Sequence, residues 1–199
     1  MNPITTIGLA ALLAAAALGV GLPLYAVPAT LTLSGGQRPS VERLTITEAA
    51  QRLRASGKAG EALVEAARAL VGERMAYCRC NGFDNHRRAF ARGYGYCQQS
   101  AYALTELLTL LGFEARVVHA FRNQFPGGKI TSHAWVSVRV GGESRYLDPL
   151  FWDAEAGKVA FTPLSPVWGY SPAFRALAGW GSMAVNAYRY YRTGKDYDG

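Results

Sequence analysis

The hydrophobic positions of the chain follow a helical period in its first half and a strand period later. Ala49, Ala50 and Leu53, then Leu63, Ala66, Ala67 and Leu70, recur three and four residues apart, the spacing of helices buried along one face. Ser56–Gly60 interrupts them, so two helices are predicted, over about 46–55 and 60–76. Thr45 with Glu48 three residues on fits a capping box that opens the first. Residues 77–95, rich in Arg, Gly and Asn, read as loop. A third amphipathic helix begins near Cys97, with Ala101, Leu104, Leu107, Leu108 and Leu111 on one face and Gly112 where a C′ glycine ends a helix. The period then changes. Ala115–Phe121 reads as a buried strand, and Asn123–Lys129, with Pro126-Gly127-Gly128, as a turn or mobile loop. Ala134, Val136, Val138 and Val140 alternate with Ser137 and Arg139, a half-buried strand. Gly141-Gly142 is a hairpin turn, and Ser144–Leu150 the partner strand. Helices followed by an antiparallel sheet make an α+β domain.

The two ends depart from this pattern. Ile4–Val27 contains no charged residue and, at about 1.5 Å per residue, can cross a hydrocarbon core of about 30 Å. It reads first as a transmembrane anchor over 1–27. A cleaved signal peptide, with small residues at Val27-Pro28-Ala29, and a buried core helix are the alternatives. Arg38 and Arg43 follow the segment and no basic residue precedes it. That points weakly to a cytoplasmic C-terminal domain; anchored domains that face outward argue the reverse by analogy, and the side stays open. Residues 28–44 read as a linker, 45–162 as the folded domain and 163–199 as an aromatic, helical extension. The extension holds Trp168, Tyr170, Trp180, Tyr188, Tyr190 and Tyr191 and looks helical over 173–192. It packs on the core or lies in a membrane interface.

A chain of 199 residues suits one domain, and its net charge of +7 lies wholly beyond the apolar run. Arg79, Arg87, Arg88 and Arg92, opposed by Asp84 alone, crowd the loop before Cys97. They form either a solubilising surface or an attraction for an acidic substrate or anionic lipid heads. No nucleic-acid-binding motif appears, so nucleic acid is not an expected partner. Three cysteines cannot all pair. A bridge across Cys78-Arg79-Cys80 would be strained, so two free thiols or a redox-labile pair are expected there. Zinc on Cys78, Cys80, His86 and Cys97 is weighed and set aside, because one intervening residue misses the usual cysteine knuckle. No metal or cofactor is expected.

The candidate chemistry rests on Cys97, His133 and Asp148. A thiol at a helix N-terminus gains from the dipole and from free N–H groups, both of which favour thiolate. Each residue also has a plainer reading: an inert core thiol, a structural histidine beside an apolar strand, and an Asp-Pro turn former. The short hairpin makes the strands of His133 and Asp148 neighbours, so the three together suit a nucleophile, a base and an orienting acid. The Cys97 N–H would donate to a developing oxyanion. Tyr77, Tyr94, Tyr96 and Gln98 are candidates for a second donor, and Trp135, Arg87 and Arg88 for substrate contacts.

Gly95-Tyr96-Cys97, Leu111-Gly112-Phe113 with Ala115-Arg116-Val117-Val118, His133-Ala134-Trp135 and Leu147-Asp148-Pro149 occur in an order that resembles the transglutaminase-like superfamily of papain-type thiol enzymes. Tyr77 falls where that family often carries a tyrosine before the nucleophile loop. The resemblance covers about residues 60–152 and implies a papain-like, transglutaminase-like core of bacterial, membrane-anchored type. It makes Cys97 the nucleophile, His133 general base and then acid, and Asp148 the group that orients His133. The chain departs from the family in its short loop between the cysteine helix and the histidine strand, and its acidic residues are too sparse for the calcium site of animal transglutaminases. The expected activity is attack on an amide or peptide carbonyl through a thioester, with hydrolysis by a protease or deamidase preferred to cross-linking. The substrate would be a peptide or protein, acidic ones included. The superfamily also contains inactive members, so a non-catalytic scaffold at a membrane is the alternative.

Overall fold

A computed structural model describes residues 43–78 and 85–171, with Phe174, Leu177 and Arg192 beyond them. The expected anchor, all but the last two residues of the expected linker and most of the expected 173–192 helix lie outside the described residues. No described helix is long and apolar enough to cross a membrane.

Helix α1 (Ile46–Ala55) begins as its sequence predicts. The Glu48 N–H donates to Thr45 Oγ1 at 3.2 Å and the Thr45 N–H to Glu48 Oε2 at 2.7 Å, a reciprocal cap worth about 1 kcal/mol. Ile46, Ala49, Ala50 and Leu53 are buried. Helix α2 (Gly60–Arg74) buries Leu63, Val64, Ala67 and Val71.

The stretch expected to be loop holds a further helix, α3 (His86–Arg92). Asn85 caps it through the Arg88 N–H, and Gly93 ends it at φ 84°. Only Ala89 and Phe90 are buried on it, too few positions to show a period. Much of its support comes from α2. Arg74, itself buried, donates from Nε to Phe90 O at 2.8 Å and from Nη2 to Ala91 O at 3.0 Å, covering carbonyls at the helix end. Strands β1 (Ala76–Tyr77) and β2 (Tyr94–Gly95) then pair in parallel and deliver the chain to α4 (Cys97–Leu110). Helix α4 buries Ala101, Leu104, Leu107 and Leu108. It closes with Gly112 at φ 93° and the Phe113 N–H on Leu108 O at 3.0 Å, a Schellman-type end.

The sheet is antiparallel, in the order β5 (Glu143–Leu147), β4 (Ile130–Val140), β3 (Glu114–Gln124), β8 (Thr162–Pro163). Strand β9 (Trp168–Gly169) also pairs with β3, further along, and β6 (Trp152–Asp153) pairs with β7 (Lys158–Val159) beside the sheet. The longer strands extend past the lengths their alternation suggests. The part of 123–129 read as loop contributes Asn123 and Gln124 to β3, leaving a tight turn after Phe125. The sheet separates two cores. Ala134, Val136 and Val138 face the helices, and Trp135 faces a smaller cluster of Val118, Ala120, Phe125 and Phe161.

Candidate active site

Strand β5 is shorter than expected: its ladder stops at Leu147, opposite Val136. Asp148–Leu150 therefore leaves the sheet, and among the described residues no strand pairs with the edge of β4 from Trp135 back to His133 on that side. The N-terminus of α4 reaches this edge. Cys97 is half-buried there, and its sulfur accepts from the Ala134 N–H and shares a hydrogen bond with the His133 ring. The second ring nitrogen is engaged as well: His133 Nε2 lies 2.5 Å from Asp148 Oδ2. Nε2 being taken, the nitrogen that meets Cys97 is Nδ1. Asp148 is 1% exposed, and its other oxygen, Oδ1, accepts from the N–H groups of Leu150 at 2.7 Å and Phe151 at 2.9 Å. The carboxylate thus makes its turn and orients the imidazole at once.

The electrostatics follow from these contacts. Burial pushes the Cys97 thiol up, but its bond to His133, the imidazolium charge and the Ala134 N–H outweigh it. The thiol sits below its ordinary value. Burial works against a charged His133, yet the Asp148 charge and hydrogen bond, with the Cys97 contact, raise it to about 10. Both directions describe the same state, a thiolate beside an imidazolium.

Aromatic rings box the imidazole. Phe161 at 5.0 Å, Phe151 at 5.2 Å and Phe125 at 5.3 Å meet it edge-on, and Trp135 lies near-parallel at 6.1 Å. Charge on a ring so enclosed is poorly served by water, which strengthens the pull of Asp148.

A profile of the transglutaminase-like superfamily matches residues 47–149. The chain belongs to this superfamily. No curated protein sequence matches it. Among solved structures it is similar to that of a candidate cysteine protease from Cytophaga hutchinsonii, at 16% identity and a TM-score of 0.44, over 67% of this chain and 51% of that one. The chain therefore aligns with about half the length of that protein.

In this transglutaminase-like chain the sequence-predicted site residues divide into those gathered at Cys97 and those held elsewhere. Cys97, His133 and Asp148 converge. Tyr96 caps the start of α4, its hydroxyl donating to Gln98 Oε1, and both side chains are buried. Tyr77 reaches the site through Phe151, edge-to-face at 6.5 Å. Tyr94 lies under the Arg92 guanidinium at 4.3 Å. Trp135 is fully buried and packs on His133, Tyr146 and Phe161, so it supports the imidazole instead of facing a substrate. Arg87 pairs with Glu106 through Nε at 2.8 Å, nine residues along α4 from Cys97, about 13 Å at the helical rise. His86 Nε2 meets the same carboxylate at 2.5 Å. Arg87 is thus part of the α3–α4 contact and not of the site; the neighbouring Arg88 side chain is exposed.

Cys78 is disulfide-bonded, which overturns the expectation of two free thiols and leaves that of a redox-labile pair; its partner lies outside the described residues. Cys97 is a free thiol. Among the described residues no group of three or more His, Cys, Asp or Glu is gathered as for a metal ion. Phe125, Phe151 and Phe161 were missed as site residues. Phe151, three residues after Asp148, was the most findable of them, because a turn that follows the acid returns its next ring to the histidine.

Proposed function

We propose that this chain is a cysteine-dependent amide or peptide hydrolase. The observation that carries the reading is the Cys97–His133–Asp148 contact series, with the thiol on one ring nitrogen and the carboxylate on the other. The Cys97 thiolate attacks a carbonyl carbon, and the oxygen becomes an oxyanion near the start of α4. There the Cys97 N–H, the first of the helix and without an intrahelical partner, is placed to donate. His133 gives its proton to the departing nitrogen as the carbon–nitrogen bond breaks, leaving an acyl thioester on Cys97. Water then attacks the thioester carbonyl, His133 takes its proton, and the thiolate departs. Asp148 keeps the ring turned for both transfers. We take water over an amine as the acceptor, and the substrate as a peptide or protein. The uncharged Ile4–Val27 run supports attachment to a membrane.

The test is mass spectrometry of the full chain in detergent, incubated with a peptide library rich in Gln and Asn. A Cys97 acyl adduct and release of ammonia or cleaved peptide, both lost in Cys97→Ala, are expected. Peptide–amine conjugates in place of hydrolysed product would make the enzyme a cross-linker. No adduct and no turnover would favour the scaffold reading.

A further inference from the structure

Strand β3 carries one residue too many beside His133. Ala120 lies opposite His133 and Asn123 opposite Thr131, so Phe121 and Arg122 together face Ser132 alone. This is a β-bulge, and it has a consequence for facing. Cross-strand partners share a face of the sheet. Val118 and Ala120 share that of Trp135 and His133 before the bulge, and Asn123 shares that of Thr131 after it. Without the extra residue Asn123 and Phe125 would point to the opposite face. The bulge is therefore what brings the Phe125 ring to 5.3 Å from the imidazole.

Asn123 holds the bulge closed. It is wholly buried, and its Nδ2 donates to Ala120 O at 2.9 Å and to Thr131 O at 3.2 Å. It thereby joins the two carbonyls that flank the irregularity, one of them belonging to the partner of His133. Asn123 also pairs with Pro163 of β8, two residues after Phe161, another ring on His133. An amide with two donors suits this place. Aspartate would set a carboxylate against two carbonyl oxygens, and an apolar residue would remove both side-chain bonds that tie the bulge together.

We propose that Asn123 is a positioning residue for the Cys97–His133 pair: by clamping the bulge it fixes the rings that orient and desolvate the imidazole. The proposal rests on the thiolate–imidazolium reading of the site. The test is the pH profile of Cys97 alkylation in the full chain in detergent, for wild type, His133→Ala, Asn123→Ala, Asn123→Ser and Leu53→Ala. Leu53 is buried on α1, next to Arg54, which bonds to the far end of α4 at Leu110 O. It serves as a control for general destabilisation. Asn123→Ala is expected to lower the alkylation rate at pH 6 about tenfold, equivalent to one unit in the thiol profile. Asn123→Ser, which keeps one donor, is expected to recover part of that loss, and Leu53→Ala to follow wild type. Should Asn123→Ala not fold, Asn123→Ser carries the same comparison at smaller amplitude. Profiles of the Asn123 variants that superpose on wild type, or an equal shift in Leu53→Ala, would overturn the proposal and leave the catalytic pair standing. A wild-type profile indifferent to His133 would overturn both.

Discussion

Replacing Gly72 by alanine separates helix propensity from the geometry of the site, because the two push stability in opposite directions. Gly72 lies inside α2, where alanine should gain about 0.8–1.0 kcal/mol. A Cβ built there, however, falls 2.3 Å from the carbonyl oxygen of Pro149. Real Cβ contacts essentially never come under 3.0 Å, so the helix or the Asp148-Pro149 turn must yield by about 0.7 Å, a backbone overpacking that costs roughly 1–3 kcal/mol. The net expectation is a loss of up to about 2 kcal/mol in urea unfolding. If the turn takes up the movement, Asp148 Oδ2 retreats from 2.5 Å to about 3.2 Å from His133 Nε2, the outer edge of a hydrogen bond. Such a bond to a charged group contributes about 1.5–3 kcal/mol. Losing half of it lowers the His133 pKa by about one unit, so the alkaline change in the Cys97 alkylation profile, where His133 loses its proton near 10, should move down by about one pH unit. The assay is iodoacetamide alkylation from pH 5 to 11, followed by mass, beside urea unfolding monitored by tryptophan fluorescence. A Gly72→Ala variant that is more stable than wild type by the full propensity gain, with its alkylation profile unmoved, would refute the close approach of α2 to the acid turn.

Further outcomes follow from the same contacts. In wild type, Cys97 reactivity should appear below the free-thiol value of about 8.5, stay level, and change again as His133 loses its proton near 10; one step at 8.5 would deny the ion pair. The linked stability has a sign. The raised His133 contributes stability that is complete below its unfolded pKa of about 6.5 and lost as pH rises through about 10. The lowered Cys97 contributes stability that is present above the free-thiol value and lost as pH falls through its own. Urea midpoints of wild type minus His133→Ala across pH 5–11 should show the loss at the alkaline end, and a flat difference would contradict it. Asp148→Asn keeps an acceptor for the turn but removes the charge, so the thiolate at pH 6 should fall at least tenfold while the fold persists by circular dichroism. Trp135→Phe should leave both stability, within about 1 kcal/mol, and the alkylation profile near wild type, because Trp135 Nε1 has no partner among the described residues and the ring face against His133 is kept. A profile shift as large as that of Asp148→Asn would give the indole a direct part in the chemistry. Thr45→Ala should cost about 1 kcal/mol in urea unfolding with no change at Cys97.

What the sequence discloses depends on how local the cause is. The α1 cap, the α1–α2 break, the Gly112 stop and the Gly141-Gly142 hairpin are each written within a few residues, and each stands where its pattern places it. Helix α3 does not show a period because its seven residues bury only two side chains and lean on Arg74, which is distant in sequence. Its bracketing by Asn85 and Gly93 was the legible sign. The three site residues were legible through their spacing and family motifs, but the rings around His133 were not. Phe125 faces the imidazole only because the bulge inserts a residue between Ala120 and Asn123, and strict alternation counted along β3 puts it on the wrong face. Trp135 was legible as near the site and misleading in its part there, since alternation gives the face but not whether a second core covers it.

The plain reading of Asp148 and the orienting part proposed for it rest on the same carboxylate. As a turn former it takes two N–H groups on Oδ1, which ends β5 at Leu147 and opens the β4 edge to the start of α4. As an orienting acid it offers Oδ2 to the ring on that edge. Were β5 to continue, a further ladder residue would compete for the Ala134 N–H, and Cys97 would lose a donor that favours its thiolate. The shortened strand thus couples the architecture to the chemistry. Asp148→Ala removes both halves and should lose fold and reactivity together, whereas Asp148→Asn removes the charge alone and should lose reactivity with only the smaller, His133-linked part of the stability. Equal stability loss in the two variants would show that the charge, and not the turn, holds the end of β5 in place.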